Sequence, residues 1–300
     1  MNVLITGATG VIGDNLIMEF KRLENDFNLK EKHHLRILIH NNKNHNYKFA
    51  NIEYAVGDLL DLSSLYQATL NIDIVVHAAG LTQTNQQNLY YKVNTLGTEN
   101  LLKACQKNKV KKFIYISSRT ASKNGGAYAV SKLLAEKKVE AFPANWIILS
   151  LAEVYGAGKK EAISRLIRLI KKSYFIPVIG NGRYFLNPVF IDDVVRGIMA
   201  AVKHDDIFRK KYILAGPEEF TYDELIDRLT KILKVKRFKI YLPVFLIKFL
   251  AFSFYIFKKN FIVRDQVPRL LCKKPANIDL AKKDLGFNPR NFEIGIREML

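Results

Sequence analysis

The sequence predicts an α/β fold: a doubly wound parallel sheet followed by a smaller, mostly helical lobe. In the first half, short apolar runs rich in β-branched residues alternate with longer segments of helical period, which is typical of repeated βαβ units. After about Gly156 the pattern changes to helical segments joined by loops rich in glycine and proline. We therefore predict two units, residues 1–156 and 157–300, and expect the strand and helix near 185–203 to return to the first unit.

The first unit contains six predicted strands, each followed by a segment that can be helical: Val3–Thr6, Leu35–Ile39, Glu53–Val56, Ile74–His77, Phe113–Ser117 and Trp146–Ser150. The second unit contains four helical patterns, Glu161–Lys172, Asp192–Lys203, Tyr222–Lys234 and Ile278–Asp284. Open parallel sheets bind ligands in a crevice at the carboxyl ends of their strands. Functional residues are therefore expected directly after the predicted strands.

The 300-residue chain is 49% apolar and 25% charged, which excludes an intrinsically disordered protein. Its two cysteines, Cys105 and Cys272, lie far apart and outside any C-x-x-C or histidine-rich pattern, so neither a disulfide framework nor a metal site is predicted. The residues after Met1 lack the basic segment and the cleavage site of a signal peptide. These features predict a cytoplasmic protein whose mature chain begins at Met1.

A glycine-rich turn directly follows the first predicted strand. Val3–Thr6 runs into G-x-x-G-x-x-G at residues 7–13 and then into an apolar-periodic helix, Asn15–Leu23. Glycine allows a sharp turn and a close approach of the backbone, while the free amides and the positive dipole end of the helix attract phosphate. This arrangement predicts a binding site for the pyrophosphate of a dinucleotide. The predicted contacts in this turn are Gly7, Thr9, Gly10, Val11, Ile12 and Gly13.

The end of the second strand bears on which dinucleotide binds. NAD sites usually carry an acidic residue there, which holds the ribose 2′-hydroxyl. In this chain the strand ends in H-N-N-K at residues 40–43, without an acid. His40 and Lys43 can face a 2′-phosphate, whereas the amide of Asn41 can hydrogen-bond a plain ribose. The cofactor is therefore predicted to be NAD or NADP, with a preference for NADP.

A serine and a Tyr-x-x-x-Lys pair follow the fifth strand. The strand ends in Ser117-Ser118, and Tyr128 and Lys132 come shortly afterwards at the head of a helix. Residues four apart lie on one helical face, and an ammonium group near a phenol favours the phenolate, so Lys132 should lower the pKa of Tyr128. Ser118 can hydrogen-bond the substrate oxygen whose proton Tyr128 exchanges while hydride moves to or from a nicotinamide. We predict Ser118, Tyr128 and Lys132 as the catalytic residues.

Nearly the whole chain resembles the extended short-chain dehydrogenase/reductase family of nucleotide-sugar epimerases and dehydratases. The motifs of this resemblance occur in the family's order: TGATGVIG at 6–13, GDLLD at 57–61, HAAG at 77–80, VNTLGTEN at 93–100, SS at 117–118, YAVSK at 128–132, VYGAG at 154–158, FIDDV at 190–194 and DLGFNP at 284–289. The resemblance implies a Rossmann fold and an NAD(P)-dependent enzyme. It also implies further cofactor contacts: Asp58 and Leu59 at the adenine, Ala78, Ala79 and Gly80 at the pyrophosphate and ribose, Asn94 beside the site, Lys132 at the nicotinamide ribose and Val154 near the nicotinamide.

The chain departs from the family's pattern near the nicotinamide and around the substrate, where only nine residues separate Ser118 from Tyr128 and the substrate-facing loop is short. Ser150-Leu151 stand where members commonly have Arg-Pro, and Leu186-Asn187-Pro188 replace a stretch whose arginine often holds a nucleotide diphosphate. Arg183, a few positions earlier, is a candidate substitute for that arginine. These departures leave the expected chemistry intact and leave the carrier of the substrate open.

The net charge of +19 is concentrated towards the C-terminus. Residues 231–283 contain 14 Lys/Arg and two Asp, a net charge of +12, around the 18-residue apolar run Ile240–Phe257. Lys248 within the run argues against a membrane-spanning helix. One interpretation is a helix packed within the lobe, and the alternative is peripheral contact of residues 236–259 with anionic lipid at the inner face of the membrane. Nucleic acid is not an expected partner, because the charge surrounds apolar bulk rather than a polar groove.

The predicted function is epimerisation or keto-reduction of a nucleotide-linked or polyprenyl-diphosphate-linked sugar. Dehydration is disfavoured, because Arg119 and Thr120 occupy the positions where dehydratases often carry their added acid and base. Two alternatives stay open. One is a dehydrogenase of a hydrophobic, sterol-like alcohol. The other is a non-enzymatic NADPH-binding subunit of a membrane complex, because the segment RDQV at 264–267 resembles a segment of such relatives of the family. The intact Ser-Tyr-Lys set argues against the second alternative. The oligomeric state also stays open, with a homodimer as one alternative.

Overall fold

The computed structural model of the chain describes residues 1–24, 34–40, 52–156, 158, 161–247 and 265–300. Asn41, a predicted cofactor contact, and residues 248–259 of the predicted membrane segment lie outside these ranges. Within the described ranges, no helix is long and apolar enough to cross a bilayer. The same ranges contain no group of three or more His, Cys, Asp or Glu side chains arranged to hold a metal ion.

Seven parallel strands form the central sheet: β1 (Asn2–Thr6), β2 (His34–Ile39), β3 (Ile52–Val56), β4 (Ile74–His77), β5 (Lys112–Ser118), β6 (Asn145–Leu151) and β11 (Lys210–Leu214). Their order across the sheet is β11-β6-β5-β4-β1-β2-β3. The inner strands β1, β4, β5 and β6 are almost completely buried, as expected for a parallel sheet covered on both faces. The strand order reverses between β1 and β4, which places the ligand crevice at their carboxyl ends.

The first six strands confirm the predicted ones within two residues at each end, but β11 is not among the predicted strands. β11 pairs with β6, with Lys210 beside Ile147 and Leu214 beside Leu151. Its sequence, K-K-Y-I-L, begins with two exposed lysines at the edge of the sheet, so it lacks the continuous apolar run that marks an inner parallel strand. Part of the second half of the chain therefore completes the central sheet.

The helices of the described residues are α1 (Val11–Glu24), α2 (Leu62–Ala68), α3 (Gln87–Tyr90), α4 (Gly97–Lys107), α5 (Gly126–Glu140), α6 (Ala162–Lys172), α7 (Ile191–Lys203), α8 (Tyr222–Ile232), α9 (Gln266–Leu271), α10 (Asp279–Leu285) and α11 (Phe292–Met299). A π-helical turn, Tyr91–Leu96, joins α3 to α4. Helices α1, α6, α7 and α8 contribute to one hydrophobic core, and α2, α4 and α5 contribute to another on the opposite face. This three-layer arrangement confirms the predicted Rossmann-like α/β fold.

The C-terminal part adds three two-stranded sheets to the predicted helices. They pair β7 (Val154–Tyr155) with β10 (Val189–Phe190), β9 (Phe185–Leu186) with β12 (Phe220–Thr221), and β8 (Phe175–Ile179) with β13 (Phe238–Leu242). The β7–β10 pair follows β6 directly, so it lies beside the carboxyl end of the central sheet. The β8–β13 pair carries a strongly exposed aromatic face.

Candidate active site

The glycine turn after β1 forms where the strand order reverses. Gly7 adopts φ +76°, and a Cβ atom there would lie 2.5 Å from the backbone nitrogen of Ala79 in the loop after β4. A Cβ on Gly13 would overlap the carbonyl oxygen of Gly7. Both positions therefore require glycine, because the two loops and the start of α1 meet backbone to backbone. A cradle without side chains fits a dinucleotide pyrophosphate at the helix N-terminus.

The other residues of the turn leave the start of α1 open. Thr9, Gly10 and Val11 are exposed, whereas Ile12 packs against the core. The amide of Gly10 donates to the carbonyl of Gly7 at 2.9 Å and closes the turn. The structure thus places all six predicted contacts in one turn, of which Thr9, Gly10 and Val11 are exposed and Gly13 is buried.

The loop after β4 forms the second wall of the crevice. Ala78 and Ala79 are half-buried and Gly80 is exposed. Asn94, buried in the π-helical turn, accepts a hydrogen bond from the backbone of Leu81 at 2.7 Å and donates to the Leu81 carbonyl and to Ser131 Oγ, each at 3.0 Å. Asn94 therefore acts on the crevice through its backbone partners, by fixing this loop to helix α5.

The predicted adenine contacts lie at the ends of β2 and β3. The ring of His40 is 3.5 Å from a carboxylate oxygen of Asp58, and both side chains are largely exposed. Leu59 is buried against Gly97 in the hydrophobic core. Because the side chain of Leu59 is buried, only its backbone could contact an adenine. His40 and Asp58 present polar groups at the surface.

Ser118 and Tyr128 meet at the carboxyl end of β5, as predicted. The Ser118 hydroxyl lies close enough to the phenol of Tyr128 to lower its pKa, and it lies 2.9 Å from the hydroxyl of Thr120. Tyr128 belongs to the first turn of α5, whose backbone is held by the Ser131 hydroxyl donating to the Tyr128 carbonyl. The strand end and the helix start therefore present two neighbouring hydroxyl groups to the same space.

Lys132 is buried beneath these hydroxyl groups. Its ammonium donates to the carbonyl of Ile116 at 2.7 Å and lies 4.1 Å from the centroid of the Tyr115 ring. Burial lowers the pKa of Lys132 to about 7, against the opposing effect of the Glu136 carboxylate. The neighbouring Ser117 donates to Glu136 at 2.5 Å, so this carboxylate is itself held in place.

The predicted direction of the Tyr128 pKa is wrong for this structure. Burial raises the pKa of the phenol, and the groups that oppose the rise are the Arg269 guanidinium and the Ser118 hydroxyl rather than Lys132. The reason is geometric, since the Lys132 ammonium is directed to Ile116 and Tyr115. The spacing of four places both residues on one helical face, but it does not fix where a long lysine side chain points.

A buried cluster of charged groups lies beside Ser118 and was not predicted. Arg119 pairs with Glu153 at 2.6 Å and donates to the side chain of Asn187, and Lys274 reaches Glu153 at 3.3 Å. Burial alone would raise the pKa of Glu153, but the Arg119 and Lys274 charges outweigh it and lower this pKa. We name Arg119, Glu153, Asn187 and Lys274 the buried charge cluster. Single residues separated this widely along a chain give no local signal in the sequence.

The two remaining candidates, Val154 and Arg183, lie outside this cluster. Val154 follows Glu153 in β7 and is half-buried. Arg183, the candidate replacement for the diphosphate-binding arginine, is exposed and lies near the Asp223 carboxylate, whose pKa it helps to lower.

The fold and the glycine cradle define an α/β protein that binds a dinucleotide at the carboxyl edge of its sheet. The chain belongs to the NAD dependent epimerase/dehydratase family, whose model matches residues 3–215. The match ends just after β11, so it spans the whole central sheet. At this level the chain is an enzyme, an oxidoreductase or isomerase of the epimerase and dehydratase class.

Two relatives illustrate the range of the sequence likeness. UDP-glucose 4-epimerase from Vibrio cholerae is 25% identical over 96% of this chain and 90% of its own length. Sterol-4-alpha-carboxylate 3-dehydrogenase, decarboxylating, from Bos taurus is 25% identical over 65% of this chain and 62% of its own length. Sequence likeness therefore extends to enzymes named for a nucleotide sugar and for a sterol.

Two solved structures share the fold over the full length of this chain. MoeE5 in complex with UDP-glucose and NAD has a TM-score of 0.78 at 21% identity and is covered over 97% of its length. UDP-glucuronic acid 4-epimerase from Bacillus cereus, in complex with UDP-glucuronic acid and NAD, has a TM-score of 0.74 at 23% identity and is covered over 98%. At these identities the likeness establishes the fold.

Proposed function

We propose that the chain is an NAD(P)-dependent epimerase or ketoreductase that acts on a nucleotide-linked or polyprenyl-diphosphate-linked sugar. The observation that carries the proposal is the placement of the Ser118 and Tyr128 hydroxyl groups side by side, at the end of β5 and the start of α5, on the same edge of the sheet as the glycine cradle. A bound nicotinamide would accept and return the hydride at this edge. The Tyr128 phenolate takes the proton of a sugar hydroxyl, and Ser118 holds the same oxygen as it becomes a carbonyl. Returning the hydride and the proton on the other face of the carbonyl completes an epimerisation. In the ketoreductase version the reaction starts from the keto sugar, which would take hydride from the reduced cofactor and a proton from Tyr128.

Lys132 and Asn94 are the two buried residues next to the crevice that we expect to assist this chemistry. A Lys132 pKa of about 7 lets the side chain change its charge near neutral pH, so a nearby hydroxyl or phosphate can favour its protonated form. Asn94 holds the loop that forms one wall of the crevice against α5. We propose that both residues set the distance between the cofactor and the Ser118 and Tyr128 hydroxyl groups.

The buried charge cluster argues against dehydration. A dehydratase needs an additional acid and base beside the sugar. Glu153 is the carboxylate of this cluster, but Arg119 and Lys274 lower its pKa and hold it in an ion pair. A carboxylate in that state is a poor proton donor, which favours an epimerase or a reductase.

The test is to incubate the purified protein with NAD or NADP and UDP-glucose, UDP-glucuronic acid or a polyprenyl-diphosphate sugar, and to analyse the products by chromatography and mass spectrometry. Tyr128→Phe removes only the hydroxyl group and should abolish turnover while leaving NAD(P)H binding intact. Tyr66→Phe, the same change on α2, is the matched control and should retain turnover. Full turnover in Tyr128→Phe would contradict the proposed mechanism.

A second candidate function is dehydrogenation of a hydrophobic, sterol-like alcohol. The match to the sterol dehydrogenase of Bos taurus over 65% of the chain supports it. The same assay with a 3-hydroxysterol separates the two candidates, since turnover of the sterol alone would favour this one. Tight NADPH binding without turnover of sugar or sterol would instead favour a non-enzymatic subunit.

We also propose that the enzyme prefers NADP to NAD. His40 lies exposed at the end of β2, 3.5 Å from a carboxylate oxygen of Asp58. The imidazole can contact a 2′-phosphate, although the charge of Asp58 offsets part of the attraction. The preference is therefore expected to be small.

The β8–β13 pair supports the proposed contact with an anionic membrane. Phe175 pairs with Phe238 and Pro177 with Ile240, so all four side chains lie on one face, which is exposed. The two phenylalanines are 57% and 67% exposed. Exposed lysines flank this face at the end of α6 and before β13: Lys171, Lys172 and Lys236. An aromatic face with a cationic rim is suited to the interface of a bilayer that contains anionic lipid.

Flotation with liposomes of phosphatidylcholine and phosphatidylglycerol tests this contact. We expect flotation at low salt, and less of it at high salt or after Phe175→Ser combined with Phe238→Ser. Phosphatidylcholine vesicles and the distant exposed substitution Met18→Ser serve as controls. A protein that floats at neither low nor high salt would contradict the proposal of a peripheral protein at the inner face of the membrane.

A further inference from the structure

The helix that carries Tyr128 is capped by a residue from far along the chain. Asp265, which immediately precedes α9, is 3% exposed, and both of its carboxylate oxygens lie 3.3 Å from the backbone nitrogen of Tyr128. The backbone of Ala127 also lies close enough to this carboxylate to lower its pKa, against the larger effect of burial, which raises it. Gly125, the residue before α5, has no side chain with which to cap the helix. Asp265 therefore supplies the negative group that a helix N-terminus favours.

Gly126 allows this close approach. It adopts φ +88°, and a Cβ atom there would lie 2.5 Å from Asp265 Oδ1 and 3.1 Å from the ring of Pro268. Glycine is needed both for the left-handed backbone and for the space. The contact therefore depends on residues of both segments, α5 and α9.

Arg269, also in α9, covers the ring of Tyr128. Its guanidinium carbon lies 4.6 Å from the ring centroid, and its Nη1 donates to the carbonyl of Thr82 at 3.1 Å. The ring of Tyr90 contacts the Tyr128 ring edge-on, with 5.8 Å between the centroids. Tyr128 is thus held between an oriented cation and a buried aromatic ring.

We propose that Asp265 and Arg269 form a positioning pair for Tyr128, in which Asp265 fixes the start of α5 and Arg269 holds the ring and favours the phenolate. The inference rests on the proposed function, because it gives the pair a role in the proton transfer of Tyr128. Neither residue belongs to the Ser-Tyr-Lys set. Both come from a segment that begins 137 positions after Tyr128.

The two members of the pair act on the phenol in opposite directions. The positive charge of Arg269 lowers the pKa of Tyr128, and the negative charge of Asp265 raises it. The titratable and charged groups that face Tyr128 from β5, α3, α5 and α9 are Tyr115, Tyr90, Lys132, Asp265 and Arg269. Burial raises the pKa of both Tyr90 and Tyr115, so these two phenols stay neutral near neutral pH.

The test measures ionisation directly and does not need an identified substrate. A fluorinated tyrosine at position 128 lowers the phenol pKa into an accessible range and reports its ionisation by 19F NMR. In that background, Arg269→Gln should raise the measured pKa by about one unit, and Arg269→Lys should recover part of the shift. Asp265→Asn keeps a carbonyl acceptor for the helix amides and should lower the pKa instead. Lys273→Gln removes an exposed positive charge from the same part of the chain and is the matched control.

Opposite shifts for Arg269→Gln and Asp265→Asn support the pair, because a general loosening of the fold would move both in one direction. Shifts of the same sign, or an Arg269→Gln shift no larger than that of Lys273→Gln, would overturn it. If Asp265→Asn fails to fold, the pKa of the fluorinated Tyr128 in Arg269→Gln is compared with that in Arg269→Lys. A partial recovery in Arg269→Lys supports the pair, and equal values in the two variants would overturn it. Thermal unfolding and NAD(P)H titration confirm that each variant is folded.

Turnover separates this inference from the proposed function. If UDP-glucose is a substrate, Arg269→Gln should lower kcat about tenfold and move the pH profile to higher pH, with KM nearly unchanged. A tyrosine that titrates as expected in a protein that turns over no sugar would support the pair and contradict the proposed function. If turnover depends on Tyr128 but the pH profile is the same in Arg269→Gln and the parent, the result would support the proposed function and contradict the positioning pair.

Discussion

The two sides of the active-site crevice are built in different ways. The cofactor side, at the ends of β1 and β4, depends on the absence of side chains, because Gly7 and Gly13 let backbone meet backbone. The catalytic side, at the ends of β5 and β6, depends on charged side chains from distant segments, which surround Ser118 and Tyr128. The first side is encoded in two short segments, residues 7–13 and 78–80, and the second needs segments from almost the whole chain.

This difference determines where a substitution should act. On the cofactor side, an added atom should weaken dinucleotide binding directly, with a moderate loss of stability. On the catalytic side, a change of charge should affect stability and proton transfer, because each charge is buried with its partner. The predictions below separate the two sides.

The largest expected effect is on the buried charge cluster. Glu153→Gln leaves Arg119 and Lys274 as neighbouring cations, with only 1% and 4% of their side chains exposed. Removing one partner of a buried ion pair costs about 3–5 kcal/mol, so the free energy of unfolding should fall by that amount. Urea unfolding followed by circular dichroism measures it.

The double variant Glu153→Gln with Arg119→Met tests whether the loss of stability in Glu153→Gln comes from the unpaired positive charge. It removes one charge of each sign, so it should be less destabilised than Glu153→Gln alone. The stabilisation by Glu153 should also disappear as the pH falls below about 4.5, because its pKa is lowered in the folded protein. If Glu153→Gln is as stable as the parent protein, the ion pairs of Glu153 with Arg119 and Lys274 do not stabilise the fold.

The cluster also marks the limit of what the sequence predicts. Six strands are evident because each is a buried apolar run, and Ser118 and Tyr128 can be brought together because parallel strands share one carboxyl edge. β11 escapes prediction because its lysines and edge position remove the apolar signal. Asp265 and Arg269 escape it because only the folded chain brings α9 to α5, although the unusual glycine pair before YAVSK is, in retrospect, the local sign of a close approach.

Lys132 provides the next test of the catalytic side. Its folded-state pKa of about 7 is below its ordinary value of 10.5, so its burial destabilises the cofactor-free protein fully below pH 7, and this cost disappears as the pH rises towards 10.5. Lys132→Met should therefore increase the free energy of unfolding by up to about 5 kcal/mol at pH 6 and by about 1 kcal/mol or less at pH 10. Turnover should be lost at both pH values.

Unfolding measured at several pH values with Lys132→Met and the parent gives this comparison. Lys138→Met, on the exposed end of the same helix, is the control and should show no such pH dependence. A gain in stability that is independent of pH would mean that the pKa of Lys132 is the same in the folded and unfolded protein, so that its burial carries no such cost.

On the cofactor side, Gly13→Ala should have a smaller effect on stability and a larger effect on binding. The new Cβ would overlap the Gly7 carbonyl oxygen and lie 2.8 Å from the Ala8 Cα, so the turn must shift. Overpacking of this kind costs about 1–3 kcal/mol. Because the shift occurs at the pyrophosphate cradle, NAD(P)H affinity should fall by about tenfold or more, as measured by fluorescence titration.

Gly286→Ala is the matched control for this change. Gly286 also has a positive φ, +61°, but it lies at the end of α10 with no atom within 4 Å of its added Cβ. It should lower stability through backbone strain and leave NAD(P)H affinity unchanged. Equal losses of affinity in both variants would mean that Gly13 acts through general stability and not through the cradle.

The smallest expected effect concerns His40, which tests whether the cofactor side also uses charge. The His40 side chain is 78% exposed and its partner Asp58 is 43% exposed, so solvent screens any attraction to a 2′-phosphate. Exposed ion pairs contribute about 0.2–1 kcal/mol, so His40→Ala should reduce the ratio of NADP to NAD affinity by no more than about fivefold. Asp58→Asn should shift the ratio the other way, because it removes the charge that offsets His40. A ratio that changes in neither variant would mean that the cofactor side distinguishes the dinucleotides without these two residues, leaving charge as a feature of the catalytic side alone.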